Sequence, residues 1–273
     1  MTQEVAFRGG VVSRFIEHPA LRRFAWGVAG VAILAALWFA AGLWLQANPT
    51  TQSFAAFGLI PTLQAFPELF GAGKIQAAAA ASGYRLGMGL LIAICIGVPI
   101  GILMGRVKWF QEYSNAAFQF LRMVSPLAWM PLAVLVFATW NGSIIFLIAI
   151  ASVWPVMFST AAGLAKVDPS WFKVARNLGA TPLQMLTRVI MPAIAFDVFS
   201  GIRLALGVAW IVLVPAEYLG VTSGLGYAIE DARETLSYNH LTALVLTIGV
   251  IGYVLDSIIV ILINRYSWQR GHA

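Results

Sequence analysis

With 273 residues, 60% hydrophobic and only 10% charged, the chain lies far from soluble domains, in which roughly 45–50% of residues are apolar and about 25% are charged. It reads as an all-α polytopic membrane protein: at about 20 apolar residues per crossing, its length allows several spans and excludes a sizeable soluble domain. The net charge of +6 raises nucleic acid as a partner, but the placement of the charges along the chain removes it.

Residues 1–23 carry Arg8, Arg14, Arg22 and Arg23 ahead of an apolar run over 24–45, which predicts a cytoplasmic N-terminal segment leading into a first span. That run is longer than a signal-peptide core and no small-residue cleavage site follows it. From Gln46 to Gly83 the composition is mixed, with Asn48, Pro49, Pro61 and Pro67. This stretch is expected to be extracytoplasmic, with a short surface helix over Phe57–Phe70 and the first turns of the next helix over Lys74–Gly83. Further spans are expected at 86–104, 118–137, 143–164, 193–216 and 241–263, giving about six in one transmembrane domain, 24–273. Cys95 is the single cysteine; it excludes an intrachain disulfide and, inside an apolar run, reads as a small buried hydrophobe.

Six spans put both termini on one side. Arg8, Arg14, Arg22, Arg23, Arg106, Lys108, Lys166, Lys173, Arg176, Arg188, Arg265 and Arg270 fall on that side, whereas Lys74, Arg85 and Arg233 fall on the other and Arg122 and Arg203 within spans. By the positive-inside rule the richer side is the cytoplasm, and the basic balance is a topology signal.

Between the fourth and fifth spans lies the one long amphipathic passage. Asp168-Pro169 reads as an N-cap and first-turn proline, and Gly179 as the left-handed end of a short helix. On that helix Trp171, Val174, Ala175 and Leu178 recur on one face, while Ser170, Lys173 and Asn177 fall on another. Thr181, Pro182 and Gln184 then open a second helix with a capping box. This helix-turn-helix resembles the signature loop of the membrane subunits of ATP-binding-cassette importers, Glu-Ala-Ala, three residues, Gly, nine residues, Ile, any residue, Leu, Pro. Lys173, Val174 and Ala175 occupy the triplet, Gly179 the glycine, and Val189, Met191 and Pro192 the closing positions. Lys173 departs from the pattern, so a salt bridge made by the family's glutamate does not carry over. A helix lying on the lipid surface is the plainer reading of the same amphipathicity.

The resemblance extends over roughly Lys74–Ile263. Arg122-Met-Val-Ser-Pro-Leu-Ala-Trp-Met-Pro-Leu132, Ser152-Val-Trp-Pro155, Gly201-Ile-Arg-Leu-Ala-Leu-Gly-Val-Ala-Trp210 and Glu217 are similar to permeases of the nitrate, sulfonate, taurine, bicarbonate and cyanate importer group. The resemblance implies a type I importer permease in the bacterial inner membrane, a second permease copy, two cytoplasmic ATPase subunits and an extracytoplasmic solute-binding protein. It implies ATPase coupling through Lys173, Val174, Ala175, Arg176, Gly179, Ala180, Thr181 and Pro182. The permease itself is then non-catalytic and carries no cofactor, with ATP and Mg on its partners; a phosphate-cradling glycine loop is absent from the sequence.

The candidate translocation residues are Arg203, Arg122, Pro126, Pro131, Trp129 and Glu217. A charge in mid-span costs from about 3 kcal/mol upward, so Arg203 needs a partner. Asp256 is the candidate, because Asp197 lies on a different helical face. Two readings stand: a packing ion pair, or an electropositive pathway for a small anion. Arg122, near a span end, reads as a snorkelling residue as well. Pro126 and Pro131 remove two donors from one expected helix, which describes either a kink or a broken helix beside a pathway. Trp129, Trp154 and Trp210 read first as packing aromatics. His18, His240 and His272 are far apart and give no metal site or catalytic dyad. Glu217, Glu230, Asp231 and Glu234 make the last external loop acidic, through solvation first and binding-protein docking second. A secondary transporter or channel, a permease for an uncharged pyrimidine-type precursor, and a membrane-embedded enzyme are the alternatives. The first lacks visible inverted repeats and the last lacks a convergent set of intramembrane polar residues.

Overall fold

In hydrocarbon every backbone donor and acceptor must be satisfied within the chain, which leaves helices as the spanning form for so apolar a sequence. The computed structural model describes residues 19–266, and all regular structure among them is helical. In order these are α1 (Pro19–Ala47), a 3-10 turn (Gln52–Phe57), α2 (Leu59–Gly71), α3 (Lys74–Arg106), α4 (Lys108–Met123), a 3-10 turn (Pro126–Trp129), α5 (Met130–Val136), α6 (Trp140–Ala165), α7 (Pro169–Asn177), α8 (Pro182–Tyr218), α9 (Leu225–Glu234) and α10 (Tyr238–Tyr266). Arg8, Arg14, His18, Arg270 and His272 lie outside the described residues.

Five helices are long and apolar enough to cross a membrane, and six spans result if the bent pair α4 and 126–136 counts as one. The span expected at 118–137 is corrected here: its helix begins at Lys108, ends at Met123 and turns by 87°. The prolines do not interrupt one helix. Pro126 opens the 3-10 turn and Pro131 sits in the first turn of α5, where a missing N–H leaves no intrahelical bond unmade. The span expected at 86–104 is one uninterrupted helix from Lys74, and that expected at 193–216 starts at Pro182. The helix expected on the surface near Phe57–Phe70 is α2, which buries Thr62, Ala65 and Leu69.

The chain falls into two compact units. In the first, which ends at Glu68 and adds Ser237–Ala243, Trp38 Nε1 donates to the Phe57 carbonyl at 2.9 Å. The Phe57 and Tyr238 rings lie 4.7 Å apart, Thr62 and Thr242 share a 2.6 Å hydrogen bond, and His240 meets Glu68 at 3.1 Å.

The second unit is built on α3, α6 and α8. Apolar side chains gain little by leaving lipid for one another, so close backbone approach has to hold these helices together. Gly89, Ala93, Gly97, Gly101 and Gly105 repeat every fourth residue along α3 and present a flat strip to α6. A Cβ on Gly101 would stand 2.5 Å from the Met157 carbonyl oxygen. The same strip matches Gly89 to Ile148 and Gly105 to Leu164, so α3 and α6 run parallel. α8 returns antiparallel to α6, bringing Ser152 Oγ to the Ala205 carbonyl at 3.4 Å. One apolar cluster fills the end holding Leu86, Met130, Ile144, Ile148 and Leu213. A second fills the end holding Val98, Val156, Leu164, Ala175 and Ile194. Cys95 is corrected to an exposed position, on the side of α3 turned away from the strip, because an apolar run in a membrane has a lipid face as well as a protein face.

Substituting Gly101 by Val is expected to cost about 1–3 kcal/mol by overpacking against backbone. Gly87→Val, at a glycine whose Cβ would meet nothing within 4 Å, is expected to be nearly silent. Melting of the purified chain in detergent, followed by tryptophan fluorescence, separates the two; equal melting of both variants would refute the packing assignment.

Candidate functional site: capped loop, mid-span ion pair and buried ion-pair network

The loop between α6 and α8 is capped at both of its helices. Asp168 accepts from the Ser170 amide at 2.8 Å and Pro169 occupies the first turn of α7. That amide holds the Asp168 carboxyl below the usual carboxylate range, helped by the Ser170 side chain and by Lys173. The cap is therefore complete above about pH 4 and weakens as pH falls through the lowered value. Gly179 has φ +75°, and its left-handed turn lets the Ala180 amide donate to the Ala175 carbonyl at 3.0 Å. Thr181 and Gln184 form the full capping box, 3.3 Å from the Gln184 amide to Thr181 Oγ1 and 2.9 Å from the Thr181 amide to Gln184 Oε1. A π-helical turn, Met185–Ile190, follows at once.

Of the expected apolar face of α7, only Ala175 is buried. Trp171, Val174 and Leu178 are exposed and line, with Arg188, Val189 and Pro192, an open groove of about 750 Å³. Phe172 instead turns inward, packing against the second cluster with the Arg106 guanidinium 4.5 Å above its ring. Lys166 pairs with Asp197 at 2.8 Å. The loop is thus a rigid double-capped knuckle fastened to α3 and α8, with an apolar edge left open.

In mid-span Arg203 Nε and Nη2 donate to the two carboxylate oxygens of Asp256 at 2.7 and 2.8 Å, a side-on fork that specifies geometry as well as charge. Both side chains remain about half exposed, 47% and 44%, on a groove of about 730 Å³ also lined by Phe196, Ser200, Leu204 and Ile263.

At the opposite end from the loop, Arg85 and Glu217 form a salt bridge with side chains 3% and 0% exposed. Arg85 also donates to Asn141 Oδ1 at 2.8 Å, the Ser223 carbonyl at 2.8 Å and Ser223 Oγ at 2.7 Å. Glu217 accepts from Ser82 Oγ at 2.7 Å and from the Gly226 amide at 3.0 Å. Each buried charge is thereby satisfied several times over, as burial demands.

A capped knuckle with the glycine and proline of the importer signature, set on a bundle of long apolar helices, agrees with what comparison with known proteins finds. Residues 97–268 match the family described as "Binding-protein-dependent transport system inner membrane component". The chain belongs to this family. The permease is 35% identical to the putative aliphatic sulfonates transport permease protein SsuC of Bacillus subtilis (strain 168) over 94% of its own length and 92% of that protein's. It is 35% identical to the bicarbonate transport system permease protein CmpB and 34% identical to the nitrate import permease protein NrtB of Synechococcus elongatus, in each case over 64% of both chains. Among solved structures it is similar to an amino acid ABC transporter, at 19% identity and a TM-score of 0.49, over 75% of this chain and 95% of that one. It is accordingly a multi-pass inner-membrane subunit of an ATP-binding-cassette importer, a family that works with an ATPase and a binding protein.

The permease's expected translocation residues do not converge. Arg203 faces the mid-span groove, whereas the Arg122 guanidinium lies 5.4 Å from the Phe158 ring at the end of α4. Trp129 and Trp210 pack against the first core cluster, and Trp154 meets Phe118 at 6.0 Å. Glu217 is corrected: it neither solvates an external loop nor lines an open groove, but is wholly buried. Arg85, counted with the charges of that side, is this carboxylate's partner. Glu230 pairs with Arg233 at 2.8 Å. Ser82, Asn141 and Ser223 were missed because single polar residues within a helix, at a helix start and in a loop carry no pattern of their own; the available signal was Arg85 itself, the twelfth residue of an apolar helix.

Proposed function

We propose that this permease carries a small oxyanion across the inner membrane, driven by ATP hydrolysis on two cytoplasmic partner subunits. The double-capped loop Asp168–Pro192 serves as the element they grip. The observation that carries this reading is the loop's geometry: a left-handed Gly179 between two capped helices, with an exposed apolar edge of Trp171, Val174 and Leu178. An apolar edge that is open on a rigid support suits docking to another protein. Lys173, Val174, Ala175, Arg176, Ala180, Thr181 and Pro182 belong to this contact in the reading. ATP and Mg stay on the partners, and the permease itself catalyses no reaction. A second copy completes the pore, and both termini are cytoplasmic by the charge asymmetry.

The oxyanion class rests on two supports. The relatives are named for sulfonates, bicarbonate and nitrate, each of which offers two oxygens on one edge. Arg203 already holds such an edge, the Asp256 carboxylate, and holds it half exposed on a groove. A substrate oxyanion that displaces Asp256 therefore meets a preformed fork, at the moderate strength a transport site needs for release.

Three outcomes test this function. Gly179→Val forces a β-branched residue to positive φ, at a cost of roughly 1–2 kcal/mol, and is expected to leave the complex assembled while ATP hydrolysis in proteoliposomes no longer yields uptake; undiminished uptake would remove the loop from coupling. Arg203→Gln is expected to abolish uptake in an assembled complex, and adding Asp256→Asn is expected not to restore it. Recovery in the double variant would make the pair purely structural. Reporter fusions at Thr50 and Ser237 are expected to read as external and one at Ala180 as cytoplasmic, and the reverse pattern would invert the topology.

A further inference from the structure

We propose that the Arg85–Glu217 pair is a positioning clamp that binds the external helix α9 to α3, α6 and α8, so that a binding protein engaging α9 changes the rate of ATP hydrolysis at the cytoplasmic end through those spans. The proposal rests on the permease reading above and names the pair of residues through which the outer partner is sensed.

The clamp is set at the start of α9. An α-helix begins with amides that have no intrahelical acceptor, and Gly224, which precedes α9, supplies no capping side chain. The acceptors come from two spans instead: the Leu225 amide donates to Ser82 Oγ of α3 at 2.9 Å and the Gly226 amide to Glu217 of α8 at 3.0 Å. The anionic carboxylate also suits the positive end of the helix dipole. Arg85 closes the ring by holding the Ser223 carbonyl and hydroxyl on one side and Asn141 of α6 on another. Gly224, at φ +109°, lies against the Glu217 carboxylate so closely that a Cβ would stand 2.5 Å from it. The 221–224 loop therefore cannot slide without breaking the ring.

A buried ion pair is weak evidence for stability, since well-packed apolar residues often do as well. What this ring adds is direction. The partners come from α3, α6, α8, α9 and the loop before α9, and one arrangement satisfies them all. The face of α9 turned outward carries Asp231, Arg233 and Glu234, all exposed, a polar surface for a soluble protein. From Arg85 the uninterrupted helix α3 runs 21 residues to Arg106, or about 31 Å at 1.5 Å per residue, and Arg106 sits on Phe172 of the coupling loop. A shift of α9 thus reaches the loop along one helix, continuous through Pro99.

The test uses the whole transporter, permease with ATPase and a substrate-loaded binding protein, in nanodiscs. In the double variant Arg85→Met with Glu217→Met no charge is stranded; it is expected to assemble, while stimulation of ATPase by binding protein falls at least about fivefold, the lower end of typical coupling between sites. Full stimulation in an assembled double variant overturns the clamp and leaves the permease reading intact. Absence of stimulation in the unaltered transporter overturns both. If the double variant fails to assemble, Ser82→Ala decides, because it frees the Leu225 amide while leaving the ion pair in place. Reduced stimulation there supports the clamp and unchanged stimulation overturns it.

Discussion

Burying an apolar side chain against another gains little when the alternative is lipid, and this permease is held together by what remains, which is backbone coming close to backbone. The strip Gly89, Ala93, Gly97, Gly101 and Gly105 lets α3 lie directly on α6. The placement of both ends of the bundle depends on that contact. It fixes α3 and α6 as a parallel pair, and α8 packs antiparallel to α6 with Gly201 against Ser159 and the Pro155 carbonyl. One end of all three helices then meets at Arg85, Asn141 and Glu217, and the other at the capped loop Asp168–Pro192.

The two ends are built on opposite principles. At the Arg85 end charges are fully enclosed and fully paired, so that any displacement breaks several strong hydrogen bonds at once. The loop end is closed by caps and a left-handed glycine, with one cation over one ring and an apolar edge exposed. The first arrangement resists deformation and the second leaves apolar surface uncovered.

The mid-span pair differs from each. Arg203 and Asp256 satisfy one another with good geometry yet stay half exposed, whereas the Arg85 and Glu217 side chains are enclosed. Full enclosure makes a charge pair permanent, because separating it strands a charge without water. The same chemistry, guanidinium with carboxylate, is thereby enclosed at one depth and left open on a groove at another.

Much of this was legible in the sequence, for local reasons. Asp168-Pro169, Gly179 and Thr181-Pro182 with Gln184 are capping signals whose partners lie within a few residues, so the knuckle was readable residue by residue and is found as expected. Hydropathy located the long spans because lipid imposes length and apolarity directly. Arg203 and Asp256 were paired because an isolated mid-span charge is too costly to be left alone. What only the tertiary structure decided is which face of each helix meets protein. Hydropathy assigns the same value to a lipid-facing and a core-facing residue, so Cys95 was placed inside when it is exposed, and Glu217 was placed outside when it is buried. The bend after Met123 was likewise hidden, because prolines that begin new helices look in sequence like prolines that break one. Arg85 and Glu217 are 132 residues apart, and no local pattern reports a contact that forms only when three spans have packed.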